Sequence, residues 1–81
     1  MITIEDENGK VVSKSKNLRG ILRMASKQGV QEICIMPHRF TATLTIQFYG
    51  GLWAETEFES FKVCERWIRR PLFAGAAVHI F

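Results

Sequence analysis

Eighty-one residues, 47% hydrophobic and 23% charged, suffice for one domain with a thin core, residues 1–81, and leave little interior for a deep catalytic pocket. That composition excludes a disordered chain, and no apolar run approaches the roughly 20 residues that cross a bilayer. The net charge of +3 is uneven: six basic residues and no acid lie between Asn8 and Gln31, while acids gather in Glu5-Asp6-Glu7 and at Glu55, Glu57 and Glu59.

Ile2 to Glu5 alternate apolar and polar side chains, and Asn8-Gly9 predicts a tight hairpin into a second strand over 10–14. Leu18, Ile21, Leu22 and Ala25 recur at helical spacing, predicting a helix over 17–28 with Ser15 or Asn17 as N-cap and Gly29 as C-cap. Ile33 and Ile35 alternate with Glu32 and Cys34 as a third strand that ends at Pro37. In the loop that follows, Phe40 is expected to close the core edge, with His38 and Arg39 toward solvent.

Ala42, Leu44, Ile46 and Phe48 alternate with Thr43, Thr45 and Gln47, and Gly50-Gly51 turns this strand into another over 52–58. Ser60 caps a second helix carrying Phe61, Val63, Cys64, Trp67 and Ile68, which runs to about Arg70 before Pro71. A sixth strand spans 76–80. NGKVV, NLRGILRMASKQG and QEICI are matched in order by YGGLWAE, SFKVCERWIRR and AAVHI. The chain therefore reads as two ββαβ units, 1–37 and 40–81.

The expected fold is α+β, a two-layer sandwich in which an antiparallel sheet of about six strands carries two helices on one face. Two three-stranded sheets or a domain-swapped dimer satisfy the same patterns. Lys16, Arg19, Arg23 and Lys27 fall on the outer side of the first helix, and Lys62, Arg66, Arg69 and Arg70 on that of the second. Such a surface suits either phosphates or an acidic protein, although both helices also need solvated backs. The other sheet face is expected to carry Thr43, Thr45, Gln47 and Tyr49 beside Trp53, Glu55 and Glu57, with Tyr49 and Trp53 as a possible anchor for a protein partner.

No catalytic residues, cofactor or metal site can be assigned. Cys34, His38, Cys64 and His79 would have to converge from four different elements to hold zinc, and alternation places Cys34 outside and Cys64 inside. Both cysteines are expected as free thiols. Glu55, Glu57 and Glu59 share one strand face, as a solvated edge does, and Gly50-Gly51 precedes a strand, unlike a phosphate loop. MITIEDENGK has no basic start followed by a long apolar stretch, so a cytoplasmic location is the expectation.

In size, hairpin–helix–strand layout and shortage of catalytic side chains, the whole chain resembles the small α+β accessory proteins of bacteriophages, anti-CRISPR and other anti-defence inhibitors among them. That resemblance implies inhibition of a bacterial protein or complex by binding, in the host cytoplasm, and carries no site residues with it. A nucleic-acid-binding accessory protein using the basic helix faces is the competing expectation, and a monomer or a homodimer formed through strand edges fits either.

Overall fold

The computed structural model describes residues 2–81. Six strands, β1 (Ile2–Glu5), β2 (Val11–Ser15), β3 (Val30–Pro37), β4 (Ala42–Phe48), β5 (Trp53–Phe58) and β6 (Ala77–Ile80), form one sheet in the order β2-β1-β5-β4-β3-β6. Two helices, α1 (Arg19–Gln28) and α2 (Phe61–Trp67), cover one face, and a 3-10 turn over Pro71–Phe73 leads into β6. The six-stranded, two-layer α+β expectation holds, in a single sheet.

The sheet is mixed where a fully antiparallel one was expected, because β6 runs parallel to β3. The connectivity requires this. A strand that follows a single helical crossover leaves in the direction of the strand before it, so β3 runs with β2, and β6 with β5. Before β6 joins, both free edges, β2 and β3, run that same way. The last strand can thus be added only in parallel.

The element order ββαβββαβ repeats, but the sheet does not treat the two units as equivalent. Exchanging them would place β2 beside β4, whereas β1 pairs with β5 through Ile4 opposite Ala54 and Glu5 opposite Trp53. That seam in the middle of the sheet joins the first hairpin to the second.

The core follows the alternation. Ile4, Ile33, Ile35, Ala42, Leu44, Ile46, Phe48, Ala54 and Phe58 point to the helices and meet Ile21, Ala25, Cys64 and Phe73. These side chains are almost fully removed from water, at about 1.5–3 kcal/mol for each large one. No polar side chain is buried among the described residues.

Local chemistry sets the helix ends. Ser60 caps α2 as expected, its hydroxyl accepting from the Val63 N–H at 3.2 Å. α2 stops at Trp67 rather than near Arg70, and Arg70 adopts an extended conformation ahead of Pro71, as residues before proline do. α1 starts at Arg19, two residues later than expected, because the Asn17 side chain accepts from the Arg19 N–H at 3.0 Å while Ser15 folds onto the Asn17 backbone. Gly29 ends α1 at φ 80°, and a Cβ there would press on the Tyr49 ring.

One loop expectation fails: Phe40 is 74% exposed and stacks under Arg39 instead of closing the core edge. His38 and Arg39 are exposed as expected, and the His38 Nε2 lies 2.8 Å from the Thr43 hydroxyl. The four-residue loop turns at His38, whose N–H donates to Thr41, and this puts Phe40 at the tip beyond reach of the core.

Candidate interaction surface on the helix layer

Only Ile21 and Ala25 of α1 and Cys64 of α2 are fully buried, so neither helix spends its whole apolar stripe on the sheet. Leu18 and Leu22 flank α1, and Val63 and Trp67 flank α2, each pair one helical turn apart and half-buried. Between them a groove of about 880 Å³ opens over Ile2, Thr56 and Phe58 of the sheet. Arg19 and Arg70 stand on its rim, with Glu57 and Glu59 at the end of β5.

Trp67 is the hinge of this surface. One side of its indole packs in the core against Phe58 and Phe73, with ring centroids at 5.5 and 5.2 Å. Arg70 lies over the ring at 5.4 Å, and a second hollow of about 310 Å³ is walled by Val63, Trp67, Arg66, Arg69 and Arg70. A half-buried indole ringed by guanidinium groups can seat an apolar side chain and pair with carboxylates beside it.

The structure divides the basic residues expected on one stripe. Arg19 and Arg70 share the groove, while Arg66 and Arg69 border the adjacent hollow. Arg69 also sits 3.6 Å from Glu65, an exposed pair that contributes little. Arg23 and Lys27 line a separate cleft of about 200 Å³ between α1 and β2, together with the hydroxyl residues Ser13 and Ser15. Lys16 is exposed and borders neither. α1 comes this close to β2 because position 20 is glycine; a Cβ there would collide with the Ser15 side chain.

On the open face of the sheet, Gln47 is opposite Trp53, Thr45 opposite Glu55 and Thr43 opposite Glu57, as alternation predicts. Trp53 is half-buried, with Glu5 on its other side. Tyr49 does not join it. The chain leaves the ladder after Phe48, and the Tyr49 N–H donates to Gly29 at 3.2 Å, so the ring covers the end of α1. Glu59 also leaves its expected face, lying past the end of β5 on the groove rim.

The reading from sequence passed over Trp67 as an interface residue because helical periodicity assigns it to the core. The signal was Arg66 directly before it and Arg69-Arg70 two residues after it. Cys34 lies on the open face, half-buried, and Cys64 inside; both are free. Burial pushes the Cys64 thiol up to about 11. Among the described residues no three His, Cys, Asp or Glu side chains gather as metal ligands, and no helix is long and apolar enough to cross a membrane. No protein-family model, curated protein or solved structure matches the chain.

Proposed function

We propose that this chain is a non-enzymatic protein-binding module that takes an acidic, apolar-anchored segment of a partner on its helix layer. The observation that carries the reading is the half-buried Trp67 between the groove and the arginine-walled hollow. Trp and Arg are the residue types that dominate interface energies, and they do so where a concave site excludes water. An apolar partner side chain would fill the groove over Leu18, Leu22 and Val63. Its neighbouring carboxylates would pair with Arg66, Arg69 and Arg70. Size and layout support the further reading that the partner belongs to a bacterial host or defence complex and that binding blocks it.

Capture from bacterial lysate, with and without nuclease, tests the proposal when repeated with Trp67→Ala and with Arg66, Arg69 and Arg70 changed together to Glu. The expected result is a protein that survives nuclease and is lost with both variants, Trp67→Ala weakening the complex by at least about 30-fold, as hot-spot truncations do. Recovery of nucleic acid alone would overturn it. A partner lost only with Trp53→Ala would move the site to the open sheet face.

One observation favours the second reading. The α1–β2 cleft sets Arg23 and Lys27 beside two serine hydroxyls, a donor set suited to a phosphate. If that cleft tracks nucleic acid, affinity falls with salt at a log–log slope of roughly −0.9 per phosphate engaged on a duplex, and Arg23→Glu with Lys27→Glu abolishes it.

A further inference from the structure

The two edges of the sheet are built differently. β2 carries Lys14, with Lys10 and Lys16 just outside it, and α1 packs against it. Charge and cover of this kind keep an edge from pairing. β6 has neither lysine nor proline, and every one of its residues is exposed, Val78 at 47% and Ile80 at 54%. Among the described residues, most of the exposed large apolar side chains lie on or near this margin: Met36, Phe40, Leu72, Val78, Ile80 and Phe81.

We propose that β6 is an interface with a second copy of this chain, the two strands pairing antiparallel about a two-fold axis normal to the sheet. The backbone selects the register. The Phe81 N–H donates to Ile35, so alternate residues His79 and Phe81 turn their backbone groups to β3, and Val78 and Ile80 turn theirs outward. A two-fold through His79 places Val78 of one copy opposite Ile80 of the other, and these residues exchange both N–H and C=O. A two-fold through Val78 would bring Ile80 opposite Ala76, whose N–H is already given to Phe73. The His79 register engages both outward-facing residues of each copy in reciprocal pairs and uses only free groups, whereas an axis through Ile80 would pair Ile80 with itself and leave Val78 unpaired.

Side-chain chemistry agrees with that register. Val78 and Ile80 sit beside Ile33 and Ile35 on the helix side, so apolar meets apolar across the axis. His79 lies on the open face, 3.8 Å from Glu32, and its two copies meet between two carboxylates. The same operation keeps both helix layers on one side and extends the sheet continuously. Self-complementarity of this sort favours a copy over an unrelated strand. A strand this short gives a small contact, so the dimer is weak and in exchange.

Sedimentation over a rising concentration series tests the proposal, with the average mass expected to double. Val78→Pro removes an outward N–H and leaves the β3 pairing untouched; it is expected to hold the protein at the single-chain mass with an unchanged near-ultraviolet spectrum. His79→Cys is the second test, made with Cys34→Ser because Cys34 faces position 79 within one chain. Opposed residues of a non-hydrogen-bonded pair lie about 4.5 Å apart at Cα, within disulfide range, so mild oxidation is expected to give a covalent dimer. Val12→Cys on the opposite edge, also with Cys34→Ser, is expected to give none. A single-chain mass at every concentration overturns the proposal, as does a dimer that survives Val78→Pro or that cross-links through Val12→Cys and not through His79→Cys. The helix-layer reading stands or falls separately, since none of these changes touches Trp67 or the arginines.

Discussion

Gly20 and Cys64 carry consequences larger than their size. Alanine is the better helix former, yet at position 20 its methyl would run into Ser15, and forcing extra volume into a packed site costs about 1–3 kcal/mol. Gly20→Ala is therefore expected to lower stability in denaturant titration, and adding Ser15→Gly to recover part of the loss. Cys64 is sealed from solvent, and its thiol ionises near 11 instead of 9.0. The unfolded chain then releases that proton first. Stability is fully present below pH 9 and is expected to decline between pH 9 and 11 by up to roughly 1.4 kcal/mol per pH unit, a slope that Cys64→Ala should remove. At pH 8 an alkylating reagent is expected to label Cys34 and leave Cys64 until the protein unfolds. The inside–outside placement of the two cysteines was legible from alternation alone. Trp67 was not, because a residue at the flank of an apolar stripe can serve the core and a groove at once, and spacing does not measure how far apart two helices sit.

At the level of the elements, sequence punctuation worked where a side chain closes its own turn. Ser60 before the α2 pattern and Gly29 after α1 both end helices as read. Ser60→Ala is expected to cost about 1 kcal/mol by thermal unfolding, with no change in the spectrum of the folded state. The α1 start was misjudged because Asn17 and Ser15 spend their caps on a turn one residue short of the helix. The parallel direction of β6 could have been read from the order of the elements, since a helix between two strands of one sheet returns the chain in its earlier direction. The strand order could not, because alternation says which face a residue takes and nothing about its neighbour across the ladder. Tyr49 shows the same limit: period two assigned it to the open face, and a turn beginning one residue earlier than expected moved it to the end of α1.

Across the whole molecule, the apparent repeat and the sheet part company. Each ββαβ unit looks self-sufficient as a sequence, but β1 needs β5 and β6 needs β3. A fragment of residues 1–37 is thus expected to lack a cooperative transition by circular dichroism, whereas two independent units would each show one. Charge behaves likewise at this scale. The basic excess visible in the first half becomes two surfaces, the α1–β2 cleft and the rim shared with α2, so reversing Arg23 and Lys27 should leave protein capture through Trp67 intact while removing any phosphate affinity.

Ile4 finds Ala54 fifty residues downstream, and that separation bears on how the protein is made. As the chain emerges from a ribosome, its first hairpin is complete early and has nothing to lie against. Ile2 and Ile4 stay wet until the second hairpin is out, so the nascent protein carries an unsatisfied sheet edge through most of its own synthesis. Long-range closure of this kind is slow, and it exposes the chain to capture by chaperones or by a neighbour. Slowing translation between the two hairpins should lower the yield of folded protein, where for two self-contained halves it would raise it.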